Sequence, residues 1–142
     1  MAHQNPDSHA LFRILNEAKT IAVVGASSSP DRPSYGIFQR LLRHGYAVIP
    51  VNPKETEVLG QRAYASLAEV PVPIDIVDVF RRAIDTPPVA EAAVAAGAKV
   101  LWLQSGISND DSAHIARAGG LEVVMDACIA VELSLLKVPP KG

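Results

Sequence analysis

Five short apolar runs recur along the chain, rich in β-branched residues and mostly separated by segments of helical period. They are Thr20-Ile21-Ala22-Val23-Val24-Gly25, residues 46–51, residues 74–80, Val100-Leu101-Trp102-Leu103 and residues 121–125. The first, a short continuous apolar run, has the length and β-branching of a strand buried on both faces, as in a parallel sheet. Helical patterns are predicted over residues 9–18, with Asp7 or Ser8 as cap, and over 36–44, where Gly45 follows a basic last turn. Further helices are predicted over 86–96, opened by Thr86-Pro87-Pro88 and closed by Gly97, over 108–118, capped by Ser108, and over 131–136. A short helix is expected near 66–70, after an irregular or strand-like stretch at Val58–Gly60 and Tyr64. Such alternation predicts an α/β fold: a five-stranded, mainly parallel sheet with helices on both faces. One domain over residues 1–142 is expected. Right-handed crossovers suggest the strand order 3-2-1-4-5, with a ligand crevice beyond the carboxyl ends of strands one and four. Pro50 cannot donate to a ladder, so it is expected near a strand end or where a sheet partner is missing.

Composition narrows the function classes. With 49% hydrophobic residues and a net charge of -2, the chain is neither disordered nor basic enough for broad nucleic-acid binding. Its one cysteine, Cys128, excludes a disulfide scaffold and suits a reducing compartment. No apolar run reaches the roughly 20 residues of a membrane helix, and the start lacks a secretion signal, so a cytoplasmic location is expected. His3, His9, His44 and His114 lack metal-ligand spacing and read as solvated. Asp75 and Asp78 read as structural acids near a sheet edge. No serine stands in a nucleophile-elbow setting, and no catalytic set emerges.

The strand ends carry the candidate site. Strand one leads into Gly25-Ala26-Ser27-Ser28-Ser29-Pro30, where Gly25 permits a tight turn and the serines and amides are suited to phosphate oxygens. The loop runs on through Arg32, Ser34, Tyr35 and Gly36 into a helix whose first amides and dipole favour an anion. Strand two ends in Asn52-Pro53-Lys54, strand three in Phe80-Arg81-Arg82 and strand four in Gln104-Ser105-Gly106. Strand five ends in Asp126-Ala127-Cys128. Cys128 then stands at the crevice edge, as a buried inert cysteine or, alternatively, as a thiol able to exchange with a thiol ligand. Seven of the 13 basic residues fall between Arg32 and Arg82. The dinucleotide fingerprint is absent, since only its first glycine is present, and Lys54 replaces the acid that pairs ribose hydroxyls. Glu55 and Glu57 stand close by, so a NAD(P)-type sensing module stays open as an alternative. A receiver-like phosphorylation module shares this topology but needs an acceptor aspartate where this chain has Phe80-Arg81.

Several of these elements occur in a recognisable order: Ile21-Ala22-Val23-Val24-Gly25-Ala26-Ser27, then Gly45-Tyr46-x-Val48-x-Pro50-Val51-Asn52-Pro53 and Gly60. Asp75-x-Val77-x-Val79-Phe80-Arg81 and Trp102-x-Gln104-x-Gly106 follow. From about Ile14 to Leu136 the chain resembles the stand-alone CoA-binding domain proteins, which are similar to the CoA-binding domain of the succinyl-CoA synthetase α subunit. The resemblance implies a Rossmann-like three-layer α/β/α fold and coenzyme A, or an acyl-CoA, as ligand. By the same resemblance the Gly25–Ser29 loop holds the CoA phosphates, Lys54 meets the nucleotide end, and Leu103, Gln104 and Ser105 line the ligand. Phe80 and Arg81 would pass the adenosine or pantetheine portion. CoA also suits the charge pattern, with Lys54, Arg32 and Arg81 as partners for its phosphates and Val79, Phe80 and Ile107 as an adenine wall. The chain shows no counterpart of the phosphohistidine domain, so binding without self-contained catalysis is expected. A component of a multi-chain acyl-CoA synthetase is the alternative; a protein partner or homo-oligomer is left open.

Overall fold

Thr20–Val24 (β1) lies inside the sheet, with Ile21, Ala22 and Val23 wholly inaccessible to solvent. In the computed structural model, which describes residues 3–141, β1 pairs in parallel with Ala47–Val51 (β2). A separate hairpin follows, made of Glu57–Val58 (β3) and Gln61–Arg62 (β4). Ile76–Val79 (β5) then pairs with the other side of β1, and Val100–Leu103 (β6) and Glu122–Val124 (β7) extend the sheet in parallel. The Rossmann-like three-layer architecture follows, but the order is β2-β1-β5-β6-β7. Among the five sheet strands that is 2-1-3-4-5, which corrects the expected 3-2-1-4-5.

Pro50 supplies the physical reason. Val51 faces β1, its carbonyl accepting from the Gly25 N–H at 2.9 Å. Pro50 faces the other way, and its carbonyl accepts from the Tyr64 N–H at 3.0 Å. The missing N–H of Pro50 therefore points to the outer edge, where a full neighbouring strand would lack a donor. Only a single bridge, Val51 to Tyr64, covers that edge among the described residues. The third sheet strand lies across β1 instead, and the switch point falls between β1 and β5, not between strands one and four.

The helices divide as this winding demands. Ser8–Glu17 (α1), Pro33–His44 (α2) and, after β7, Ile129–Leu135 (α5) cover one face. Thr86–Ala95 (α3), Asp110–Ala118 (α4) and the 3-10 turn Leu67–Glu69 cover the other. The first core holds the bulky groups Phe38, Leu41, Trp102, Ile129 and Leu133. Burying one such side chain contributes about 1.5–3 kcal/mol. In the second core, Ala90 and Ala93 of α3 and Ala113 and Ala116 of α4 are small enough to let the helices approach closely.

Helix starts differ from expectation in instructive ways. α2 opens at Pro33, not Gly36, because proline at the first position sacrifices no helical bond. α4 is capped by Asn109, whose side chain accepts from the Ser112 N–H at 2.9 Å, rather than by Ser108. α5 begins at Ile129, two residues before the expected start. Asp7 does cap α1, accepting from the Ala10 N–H at 2.9 Å.

Three polar residues were also placed by tertiary contacts. Asp75 accepts from the Lys19 and Thr20 N–H groups at 2.8 and 3.0 Å, as a structural acid should. Asp78 is not near an edge: it stands in β5 between β1 and β6, fully buried, with neither carboxyl oxygen partnered. His44 is not solvated. It is 4% exposed, stacks on Tyr46 at 5.5 Å and meets Arg40 at 3.0 Å, because the C-terminal segment folds over the end of α2. Among the described residues no helix is long and apolar enough to cross a membrane, and no cluster of three metal-ligating side chains occurs.

Candidate functional site

The chain leaves β1 through Gly25, whose φ of +89° lies in the left-handed region. A Cβ there would stand 2.2 Å from the Phe80 carbonyl oxygen. Glycine is thus required by the close approach of the β1 and β5 ends, where the switch point opens. A cleft of about 780 Å³ lies there, within the range of small-molecule sites.

Five segments build its wall. Gly25 and Ser27 come from the β1 loop, and Arg32, Pro33, Ser34 and Ile37 from the start of α2. Asn52, Pro53, Lys54 and Glu55 follow β2, and Phe80, Arg81 and Arg82 follow β5. Gln104, Ser105 and Ile107 follow β6, with Cys128 at the start of α5. The start of α2 carries no side-chain cap, so nothing from the protein's own side chains competes there for its first amides.

Some of these residues are braces as well as wall. Asn52 ties two loops: its amide donates to the Ala26 carbonyl at 2.9 Å, and its oxygen accepts from the Lys54 N–H at 3.0 Å. Gln104 is 3% exposed, and its side-chain oxygen accepts from the Ile129 N–H at 3.1 Å, fixing α5. The Trp102 indole donates to the Ala127 carbonyl at 2.8 Å, which sets the chain just before Cys128. Cys128 is half-buried and unpaired, so it is neither deep in the core nor fully open.

The cleft carries an excess of positive charge. Four cations, Arg32, Lys54, Arg81 and Arg82, face one carboxylate, Glu55. Arg82 pairs with Asp85 at 2.9 Å. Arg32, Lys54 and Arg81 make no ion pair among the described residues. The Ser28 backbone N–H and hydroxyl hold the Glu55 carboxyl below its ordinary pKa. The Ser29 hydroxyl does the same for Asp31. Such a site favours a multiply charged anion.

Not every expected position reaches the cleft. Ala26 and Leu103 are fully buried, their side chains belonging to the first and second cores. Val79 is likewise core, so the apolar wall is Phe80 and Ile107 with Ile37. Ser28, Ser29, Tyr35, Gly36 and Gly106 are not among the residues that line the cleft. Ile37 lines it and was not foreseen, while Pro33, Glu55 and Arg82 line it from beside the expected residues without having been assigned to the ligand. Pro33 and Ile37 follow from the earlier helix start, which a proline at the first helical position signals. Glu55 carried no local signal, because its place depends on how the β2 loop folds onto the β1 loop.

Fold and cleft together define a Rossmann-like α/β chain with a cationic site at its switch point. The chain belongs to the CoA-binding domain family, whose model matches residues 19–134. It is similar to the uncharacterized protein YneT of Bacillus subtilis, 42% identical over 134 residues, which span 94% of this chain and 99% of that one. It is also similar to the ADP-forming acetate–CoA ligase of Methanocaldococcus jannaschii, at 25% identity over 92% of this chain and 21% of the ligase. A solved structure of a hypothetical protein from Pyrococcus horikoshii superposes with a TM-score of 0.90 at 37% identity, covering 96% of this chain and 99% of that one.

Proposed function

We propose that this chain is a single domain that binds coenzyme A or an acyl-CoA in the switch-point cleft, without self-contained catalysis. The observation that carries the reading is the set of three unpaired cations, Arg32, Lys54 and Arg81, around a cleft in a chain of the CoA-binding domain family. CoA carries a diphosphate and a ribose phosphate, and each can take charge-assisted hydrogen bonds from such groups. Phe80, Ile37 and Ile107 offer the adenine an apolar surface.

The test is ligand-dependent stability. At 100 times its dissociation constant, CoA should add about 2.7 kcal/mol to unfolding, read as a raised Tm. NADH at the same concentration should add nothing. The absence of any shift at millimolar CoA would reject the proposal.

A second reading is favoured by the similarity to one-fifth of an acetate–CoA ligase. In it, this chain supplies the CoA site to catalytic parts on another polypeptide. Affinity capture that recovers a nucleotide-binding ligase subunit, with acyl-CoA formation only in the mixture, would support it. Capture of no such partner would leave binding alone.

A further inference from the structure

The serine loop is not an empty cradle. The Ser28 N–H donates to Glu55 Oε2 at 3.0 Å, and the Ser28 hydroxyl donates to Oε1 at 2.8 Å. Neighbouring donors are also engaged: the Ser29 N–H donates to Ser27 Oγ at 3.1 Å, and the Ser29 hydroxyl donates to Asp31. A carboxylate that takes both a backbone N–H and a hydroxyl occupies the loop as a bound anion would. Yet Glu55 makes no ion pair among the described residues, although it shares the cleft wall with four cations. Its negative charge is committed to the loop donors.

The backbone beneath Glu55 is held from both sides. Its N–H donates to the Asn52 carbonyl at 3.2 Å, closing a turn, and Asn52 is itself tied to Ala26 and Lys54. Three residues further on, Val58 of β3 is wholly buried in the first core.

We infer that Glu55 is an internal competitor for the anionic part of the ligand: its carboxylate holds the Ser28 donors until a diphosphate displaces it. This rests on the proposal that the cleft takes CoA. The device discriminates by charge. A single carboxylate yields to a diphosphate, which carries more charge and more acceptor oxygens and is supported by the nearby cations. It does not yield to a neutral group. Glu55 therefore sets the affinity of the site from inside the protein.

The experiment is calorimetric titration of CoA into the wild type, Glu55→Gln, Glu55→Ala, Ser28→Ala and the Ser28→Ala/Glu55→Gln pair. Glutamine keeps an acceptor for Ser28 and removes the charge, so the loop can keep its fold. Both Glu55 variants should bind CoA about five- to tenfold more tightly, and the gain should shrink in the Ser28→Ala background. Unchanged or weaker binding by both variants, with wild-type binding intact, overturns the inference and makes Glu55 a brace or a ribose partner. An undiminished gain in the Ser28→Ala background overturns it too, since bulk electrostatics then suffices. If no protein in the set binds CoA, the functional reading fails and this inference falls with it.

Discussion

The two ends of the sheet treat charge in opposite ways. At the amino end, a groove of only about 70 Å³ is lined by Arg13, Glu17, Asp75, Lys99 and Glu122. Its charges satisfy one another: Arg13 meets Glu122 at 2.7 Å, Lys99 meets Asp75 at 3.5 Å, and Asp75 also accepts two backbone N–H groups. At the carboxyl end, Arg32, Lys54 and Arg81 stand around a cleft about ten times larger, with no acid paired to them among the described residues. Paired charges around a small groove finish a surface. Unpaired like charges around a large one repel each other and cost stability, a cost that an anionic ligand offsets.

The largest expected effect comes from stripping the carboxyl end. Arg32→Ala, Lys54→Ala and Arg81→Ala together should weaken CoA binding by about a hundredfold or more, with the ligand-free Tm unchanged or slightly raised. Calorimetry and thermal melts read the two effects separately. Lys54→Ala alone should weaken CoA more than dephospho-CoA if it meets the ribose phosphate. Equal losses for both ligands would move Lys54 to another part of the site, and a large drop in Tm would undo the contrast between the ends.

Next in size is Asp78, which belongs to neither end. Burial alone raises its pKa well above the ordinary carboxyl value. As pH climbs past about 3.9, the unfolded chain therefore releases this proton first, and stability falls until the folded-state pKa is reached. Asp78→Asn removes that dependence. It should stabilise the fold at pH 7 by about 1–3 kcal/mol, and the gain should vanish below about pH 4. Urea unfolding at the two pH values measures it, and a loss at pH 7 would reveal a partner for the carboxyl.

The smallest effect tests the amino end. Burial pushes the Asp75 carboxyl up, but the Lys19 and Thr20 N–H groups and Lys99 outweigh it and leave its pKa below the ordinary value. Its contribution is present above about pH 3.9 and is lost as pH falls through the lower folded-state value. Asp75→Ala should cost about 1–2 kcal/mol at pH 7, less at acid pH, with CoA affinity untouched. Weaker CoA binding in that variant would couple ends that the structure keeps apart.

Much of the scaffold is legible in the order of residues. The Val100–Leu103 strand, the Asp7 cap of α1 and the Gly45 stop of α2 all rest on local rules: continuous apolar runs, a short polar acceptor before a helix, a left-handed residue after one. The strand order was not legible in the same way, although Pro50 marked the edge. Between β2 and β5 the chain has a hairpin and a 3-10 turn rather than a long helix, so no periodic signal says which side of β1 it crosses.

The site divides along the same line. Sequence by itself determined the fold class and the strand-end loops at Gly25, Asn52, Phe80 and Gln104, because period and backbone freedom are properties of neighbouring residues. The strand-end rule also put Arg32, Lys54 and Arg81 beside one crevice, but only the tertiary structure seated the Glu55 carboxylate on Ser28, 27 residues away in the chain. It likewise buried Asp78 between two strands. These are contacts between segments distant in sequence, and their energy exists only once the sheet has chosen its order.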